Sequence, residues 1–163
     1  MTVRPACSVE LARTPQDMRD VAMLFQEYAN ALGVDLYGLQ GFQSELDSLP
    51  GKYSPPHGEL FLSRDAHGKP LGCVAVKALP SKEESCELQR LFVQPSARGL
   101  GLGRKLLAAA IDRARAAGYK TMYLDSLPTL QSALAIYEDA GFSRVEKYWD
   151  TPWDGVLYFA KTL

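Results

Sequence analysis

The sequence predicts a mixed α/β fold, in which a mostly antiparallel central sheet is flanked by helices on both faces. Along the chain the spacing of apolar residues alternates between strand-like and helix-like, in the order β-α-α-β-β-β-α-β-α-β-β. Glycine and proline stand between these segments, where chains turn. The 163 residues are 47% apolar, which suffices for one hydrophobic core. We therefore expect one domain over residues 1–163, without a linker.

The first half predicts a strand, two helices and two further strands. Thr14 and Pro15 indicate a helix start, because a threonine side chain caps free amides and proline fits the first helical position. Apolar residues then recur every three or four positions until Gly33, a residue type common at helix ends. The second helix stops before Pro50. The predicted bounds are strands 8–12, 59–64 and 71–79 and helices 15–32 and 42–49.

The second half alternates strands with helices and ends in a strand pair. One strand stops before Pro95, and a glycine cluster then leads into a helix that Gly118 closes. Gly141 closes the next helix. Two final antiparallel strands are joined through residues 153–155. The predicted bounds are strands 86–93, 120–125, 142–148 and 156–161, with one helix ending at 117 and another spanning 128–140.

Charge and hydropathy exclude two classes of protein. Lys plus Arg number 18 and Asp plus Glu 19, a net charge of −1, so no broad basic field exists to bind a nucleic-acid backbone. No apolar run approaches the ~20 residues that a membrane-spanning helix needs. No apolar leader segment follows Arg4. We expect a soluble protein with neither nucleic acid nor membrane as a partner.

The cysteines and histidines predict neither a disulfide framework nor a metal site. Cys7, Cys73 and Cys86 are odd in number, widely spaced and form no CxxC pair, so a reducing cytoplasm is the expected location. Cys73 and Cys86 fall in predicted strands and are expected to be small buried apolar residues. His57 and His67 lie in loops and are too few for a metal site.

A glycine-rich loop between a strand and a helix is the most informative segment. Consecutive amides at a helix start have no partner and lie at the positive end of the helix dipole, so they suit a phosphate or pyrophosphate. Residues 98–115 hold five basic residues and one aspartate, a local charge of +4 in a nearly neutral chain. Glycines at such a junction can also serve packing alone.

Two nucleotide-binding signatures can be compared with this loop directly. A P-loop requires Gly-Lys followed by Ser or Thr, whereas Gly103 is followed by Arg104. A G-x-G-x-x-G fingerprint starting at Gly99 would require a glycine at position 104. Asp125 does stand about 20 residues downstream, as a ribose-binding acid would, so a dinucleotide-dependent oxidoreductase stays open as an alternative.

The loop and the helix after it resemble the GNAT superfamily of acyl-CoA-dependent N-acyltransferases. The resemblance rests on Arg98-x-x-Gly101-x-Gly103 after a strand ending in Phe-Val, with Tyr137 and Gly141-Phe142 downstream, and it covers roughly residues 86–142. It implies the GNAT fold and acetyl-CoA as acyl donor. It also implies that the strand before the loop bulges and splays from its neighbour, leaving backbone groups free for the pantetheine arm and the thioester.

By the same resemblance, two groups of residues would bind the cofactor. The strand-end groups belong to Leu91, Phe92 and Val93. The pyrophosphate would lie on the amides of Arg98, Gly99, Leu100, Gly101, Leu102, Gly103 and Arg104, with Lys105 adding charge. The sequence departs from the family at Leu130, where many members have an asparagine seven residues before the tyrosine, and one hydrogen bond to the CoA arm is therefore in question.

Acetyl transfer to an amine requires a proton acceptor, because an alkylamine has a pKa near 10.4 and is protonated at neutral pH. Glu87 lies six residues before Val93 on the strand that would hold the thioester, and family members with a strand carboxylate tend to place it there. We expect Glu87 to be the base, with Glu83 and Glu84 as substitutes; an ordinary strand-edge glutamate is the alternative.

The remaining roles fall to a backbone amide and a phenol. Val93 N–H is the candidate for stabilising the charge on the thioester oxygen. Tyr137, placed by the resemblance, would donate a proton to the leaving thiolate; by spacing alone it reads as a core aromatic. Aromatic residues that could line an acceptor pocket are Tyr28, Tyr37, Tyr53, Tyr148 and Trp149.

The sequence thus predicts an enzyme that transfers acetyl from acetyl-CoA to a primary amine by direct attack in a ternary complex. The acceptor, a small-molecule amine or a peptide, is not specified by these residues, and neither is the choice between a monomer and a homodimer. A non-catalytic acyl-CoA-binding module is the other open alternative.

Overall fold

A computed structural model describes residues 7–38 and 41–163 and shows a seven-stranded sheet between two layers of helices. The strands lie in the order β1-β2-β3-β4-β5-β7-β6, and every neighbouring pair is antiparallel except β4 and β5. The strands are β1 (Ser8–Leu11), β2 (Glu59–Arg64), β3 (Pro70–Ala78), β4 (Ser85–Val93), β5 (Thr121–Ser126), β6 (Ser143–Val145) and β7 (Leu157–Thr162). The helices are α1 (Pro15–Ala31), α2 (Phe42–Asp47), α3 (Leu102–Ala116) and α4 (Gln131–Asp139), with 3-10 turns at Gly51–Tyr53 and Pro95–Ala97.

The predicted order of elements is confirmed, and so is the mostly antiparallel sheet with helices on both faces. Helix α1 begins where predicted, because the Thr14 hydroxyl accepts from Asp17 N–H while the Asp17 carboxylate accepts from Thr14 N–H, a reciprocal cap. Helix α2 ends two residues earlier than predicted because Gly51–Tyr53 form a separate turn. Helix α4 starts at Gln131 because residues 127–130 form a turn of their own, with Leu130 N–H donating to Leu127 O.

The strand predicted at 142–148 is much shorter in the structure. Strand β6 stops at Val145, and the following residues leave the sheet edge. Two aromatic side chains beyond it reach carboxylates on the central strands instead, Tyr148 to Glu87 and Trp149 to Asp125. Alternating side chains predicted a longer strand, but these two tertiary hydrogen bonds redirect the chain across the sheet.

A bulge in β4 changes which side chains face which side of the sheet. Ala75 on β3 lies opposite Gln89, whereas Cys73 lies opposite Phe92, so β4 contains one extra residue. Arg90, at the bulge, has a φ of +59°, a left-handed conformation that is uncommon for residues other than glycine. Because of the extra residue, Phe92 faces the same side as Gln89, where strict alternation would place it on the other side.

Strands β4 and β5 diverge next to this bulge. They pair in parallel only from Ser85 to Glu87, opposite Thr121 to Tyr123, although both strands continue further. The resemblance predicted both the bulge and the splay, and the structure contains both. The wedge between the two strand ends is the place where a ligand can reach the backbone.

Two apolar cores lie on opposite sides of the sheet. One is formed with α3 and α4 and includes Leu106, Ala110 and Tyr137. The other is formed with α1 and α2 and includes Phe25 and Phe42. No helix among the described residues is long and apolar enough to span a membrane.

Candidate active site

The glycine-rich loop presents a row of unpaired backbone amides. Within the described residues, the N–H groups of residues 99–104 have no hydrogen-bond acceptor, and no side chain caps the start of α3 at Gly101. The amides at either end of this row are occupied: Arg98 N–H donates to Pro95 O, and Lys105 N–H donates to Gly101 O. Unpaired amides at a helix start form an anion site, so a pyrophosphate fits here.

The glycines of this loop serve two different purposes. Gly99 and Gly101 have φ values of +82° and +76°, and a Cβ at either position would contact nothing within 4 Å. Backbone conformation therefore requires glycine at these two positions. Gly103 differs, because a Cβ there would lie 2.9 Å from Ile136 Cδ1. Its role is the close packing of α3 against α4, which was the alternative explanation for a glycine at this junction.

The three basic side chains around the loop, Arg98, Arg104 and Lys105, make different contacts. Arg98 Nε donates to Val93 O at 3.3 Å and so ties the loop to the end of β4. Arg104 pairs with Asp139 of α4 at 2.7 Å, and both side chains are more than half exposed. Lys105 makes no ion pair within the described residues, so its ammonium group stays available to an anion.

The end of β4 offers free backbone beside this loop. Beyond Glu87, the β4 backbone groups that face β5 have no strand partner. The side chains of Leu91 and Val93 pack toward α3 and α4, and Phe92 packs toward α1. The residues that the resemblance assigned to the pantetheine arm therefore lie at the open wedge. Their contact with a cofactor, like that of the loop amides, stays a prediction.

Tyr137 lies between the core and the wedge. Its ring packs edge-on against Phe142, with ring centroids 5.9 Å apart, and only 6% of the residue is exposed. Its hydroxyl makes no hydrogen bond with the described residues. Burial raises the pKa of Tyr137, with smaller contributions from Tyr28 and Asp125, so the phenol keeps its proton at neutral pH. Tyr137 is thus a core aromatic whose hydroxyl is free to donate, and its role as the proton donor stays a prediction.

A cavity of about 740 Å³ opens on the α1 and α2 side of the wedge. Its aromatic walls come from Tyr28, Phe42, Trp149 and Trp153. Its polar walls come from Glu45, Lys52, Gln89, Arg90, Asp125 and Asp150. Of the aromatic residues predicted for an acceptor pocket, Tyr28 and Trp149 line it. Tyr53 and Tyr148 lie behind its wall and contact Gln89 and Glu87, whereas Tyr37 packs on Phe42.

Glu87 is buried and fully engaged by donors. Tyr148 donates to its Oε2 at 2.7 Å, Gln89 Nε2 donates to its Oε1, and Lys77 Nζ lies 3.7 Å from Oε1. Its carboxylate adjoins the cavity without lining it. Glu83 and Glu84, the predicted substitutes, are exposed in the turn before β4, at the end of the strand remote from the bulge. Glu87 as the base stays a prediction.

Asp125 lies on the same face of the sheet as Glu87 and lines the cavity. Trp149 Nε1 donates to its Oδ2 at 2.6 Å, and its Oδ1 accepts no hydrogen bond from the described residues. Burial raises the pKa of Asp125 to about 6; the Trp149 hydrogen bond opposes this and the charge of Glu87 adds to it. The sequence singled out Asp125 only as a ribose ligand, and its strand-end position was the available signal.

Arg90 was not predicted as a site residue. Its guanidinium pairs with Glu45 of α2 through Nε at 3.0 Å and Nη2 at 3.2 Å, and its Cζ lies 5.3 Å from the centre of the Phe42 ring. The pair holds the bulge against α2, so α2 shapes the cavity wall. No sequence signal could reveal this, because the left-handed conformation that aims Arg90 falls on a residue other than glycine.

The model of the acetyltransferase (GNAT) family matches residues 22–142 of this chain. An uncharacterized N-acetyltransferase of Schizosaccharomyces pombe is 41% identical over 151 residues, which cover 93% of this chain and 91% of that protein. An acetyltransferase of the GNAT family from Staphylococcus aureus has the same fold, with a TM-score of 0.79 at 18% identity over 96% of this chain and 99% of that one. A Salmonella typhimurium acetyltransferase, yncA, solved with its cofactor acetyl-CoA, has a TM-score of 0.76 at 16% identity over 96% and 94%. The chain belongs to the GNAT family of acetyltransferases.

Proposed function

We propose that this protein transfers the acetyl group of acetyl-CoA to a primary amine, by direct attack in a ternary complex. The observation that carries the proposal is the row of unpaired amides at residues 99–104, next to a wedge where β4 has free backbone and Tyr137 has a free hydroxyl. The relative solved with acetyl-CoA supports the choice of donor. The acceptor is a small-molecule or peptide amine that enters the cavity opposite the loop.

Each group of the site would have a distinct task. The amides of residues 99–104 and Lys105 would hold the pyrophosphate, and the β4 backbone groups within residues 91–93 that face away from β3 would align the pantetheine arm. Val93 N–H is the donor for the thioester oxygen. Tyr137 would give its proton to the departing sulfur, and a carboxylate facing the wedge would receive the proton of the amine. Leu130 lines the cavity rather than offering the amide that many family members have there.

The buried thiols of Cys73 and Cys86 take no part in this scheme. Burial raises the pKa of both thiols, so neither is a thiolate at neutral pH. Both are free thiols, which supports a reducing cytoplasm as the location.

Thiol release tests the proposal. Purified protein is mixed with acetyl-CoA and a panel of primary amines, and free CoA is followed with a thiol reagent while the acetylated amine is identified by mass spectrometry. The proposal expects thiol release and amide formation in equal amounts with at least one amine. Binding of acetyl-CoA without thiol release across the whole panel would instead indicate a non-catalytic binding module.

A further inference from the structure

The wedge contains two carboxylates, and they differ in what surrounds them. Both oxygens of Glu87 are occupied by donors from the protein. Asp125 lines the cavity, one of its oxygens accepts from Trp149 while the other accepts no hydrogen bond from the described residues, and it makes no ion pair within them. A carboxylate held in a partly buried cavity without a cation is stabilised by any cation that binds there.

Asp125 shares its cavity with Tyr28 and Leu130, and it lies on β5 beyond the point where that strand separates from β4. The negative charge of Asp125 contributes to raising the pKa values of Tyr28 on α1 and Tyr137 on α4. Glu87 makes no such contribution to Tyr137. Of the two carboxylates, Asp125 is therefore the one that lines the cavity and the one whose charge acts on the Tyr137 phenol.

Charged and titratable groups face Asp125 from every element packed around it. Arg90 on β4 and Lys77 on β3 lower its pKa, and Glu87 on β4 raises it. None of these cations forms an ion pair with it. The phenols that feel its charge are Tyr28, Tyr137, Tyr148 and Tyr158.

The rest of the cavity indicates the kind of molecule that would bring a cation to Asp125. Beside Tyr28 and Trp149, one part of the wall is apolar and includes Leu32, Leu36, Phe42, Leu127 and Trp153, while the polar part described above lies around Arg90 and Glu45. A cavity of about 740 Å³ with such walls suits a drug-sized apolar body with a few fixed polar contacts. Aromatic rings beside the carboxylate also favour an ammonium group.

We propose that Asp125 binds the ammonium group of the acceptor and takes its first proton, and that the acceptor is a primary amine with an apolar body. This inference rests on the proposed acetyl transfer and adds the acceptor class and the proton acceptor. Trp149 positions Asp125 through its indole N–H. Glu87 acts through Asp125, since its nearby negative charge increases the affinity of Asp125 for a proton.

The ammonium group R–NH3+ gives one proton to the Asp125 carboxylate and becomes the neutral amine. The amine nitrogen forms a bond to the acetyl carbon, the carbon–sulfur bond breaks, and its electron pair stays on sulfur. Tyr137 gives its proton to that sulfur and recovers a proton from the former amine nitrogen. Asp125 then releases its proton to water, so one amide, one thiol and one proton are the products.

Asp125→Asn tests the inference, with Asp154→Asn as the control because Asp154 lies nearby without lining the cavity. Thiol release is measured from pH 5 to 9 with 2-phenylethylamine, hexylamine and ethanolamine. We expect kcat/KM for the two apolar amines to exceed that for ethanolamine at least tenfold. We expect Asp125→Asn to lower kcat/KM at least a hundredfold and to leave the Kd of acetyl-CoA, measured by calorimetry, unchanged.

The pH profile separates Asp125 from Glu87. If Asp125 takes the proton, Glu87→Gln keeps most of kcat and moves the acidic limb of the profile to lower pH, because a neighbouring negative charge is lost. If Asp125→Asn has the same kcat/KM and the same pH profile as the unmodified protein, the inference is overturned. So would equal rates for the three amines, which would remove the apolar acceptor class.

A binding measurement distinguishes failure of this inference from failure of the acetyl transfer. The indole N–H resonance of Trp149, assigned by its loss in Trp149→Phe, reports on Asp125 directly. We expect it to shift when 2-phenylethylamine is added to the unmodified protein and not to Asp125→Asn. A shift without thiol release would refute the proposed transfer and uphold the ammonium site; thiol release without the shift would refute the ammonium site alone.

Discussion

Asp125 carries a negative charge at neutral pH although it is largely buried, and burial disfavours a charged carboxylate. The residue therefore lowers the stability of the folded chain. Burial raises its pKa from an ordinary value of 3.8 to about 6, which means that the folded state binds the proton more tightly than the unfolded state. Between those two pH values the folded chain holds more protons, and stability therefore falls as the pH rises through that window.

Asp125→Asn should accordingly stabilise the protein at neutral pH. The full shift corresponds to about 3 kcal/mol, so we expect a gain in the free energy of unfolding of about 1 to 3 kcal/mol at pH 7.5. Urea denaturation at pH 7.5 and pH 3.5 measures it. The gain should fall below about 0.5 kcal/mol at pH 3.5, where the aspartate is mostly protonated in both states; an equal gain at both pH values would show that titration is not the cause.

Tyr137→Phe removes the phenol and keeps the packing. The ring stays between Phe142 and Phe159, so we expect a change in the free energy of unfolding of less than about 1 kcal/mol. Loss of the proton donor should lower kcat about a hundredfold while the Kd of acetyl-CoA stays constant. Stopped assays measure kcat, and calorimetry measures the Kd of acetyl-CoA. Turnover equal to that of the unmodified enzyme would remove Tyr137 from the chemistry.

The family resemblance indicated Tyr137, and a strand-end position indicated Asp125 only as a ribose ligand; neither signal described the surroundings of these residues. Strand ends and helix spacing are local properties, and both residues stand at such positions. The donors that occupy Glu87 come from Tyr148, which lies 61 residues away, and from its strand neighbour Gln89. Contacts at that separation depend on the path of the whole chain, and no local pattern reports them.

At the scale of elements, the loop before α3 is the part of the site that sequence predicts best. Gly99 and Gly101 are needed for their left-handed backbone, and that requirement can be read from the residue type. The bulge in β4 is the opposite case. Its left-handed residue is Arg90, so the bulge followed from the family resemblance and not from any residue pattern.

Gly101→Ala tests the loop, and Gly118→Ala is its matched control. Both glycines have a positive φ, +76° and +93°, and open space where a Cβ would lie, so both substitutions should cost about 1 to 2 kcal/mol of stability. Gly118 closes the far end of α3, away from the amide row. Only Gly101→Ala should weaken the binding of acetyl-CoA. We expect its Kd, measured by calorimetry, to rise at least tenfold. Equal Kd values for the two variants would contradict a role for the loop.

At the scale of the whole molecule, one buried carboxylate joins three elements. Glu59 on β2 is 1% exposed, and its Oε2 accepts from Arg13, just before α1, at 2.9 Å and from Arg113 on α3 at 3.1 Å. These contacts link the two helix layers through the sheet. Sequence could not predict them, because the three residues are far apart in the chain and each alone resembles a surface charge.

Glu59→Gln should destabilise the protein by about 1 to 3 kcal/mol, since two half-exposed guanidinium groups lose their charged acceptor. The control is Asp112→Asn, which removes an exposed pair with Arg115 at 3.5 Å and should change stability by less than about 1 kcal/mol. Chemical denaturation at pH 7.5 measures the free energy of unfolding of both variants. Similar small losses in both variants would show that Glu59 is not a link between the layers.

The proposed acetyl transfer depends on the amides of residues 99–104 binding the pyrophosphate of acetyl-CoA, and amide NMR spectra measure this binding directly. On titration with acetyl-CoA, we expect the N–H resonances of those residues to move downfield, and S-acetylpantetheine, which has the arm without the pyrophosphate, should leave them in place. Shifts confined to other residues, or the same shifts with both compounds, would contradict the assignment of this loop.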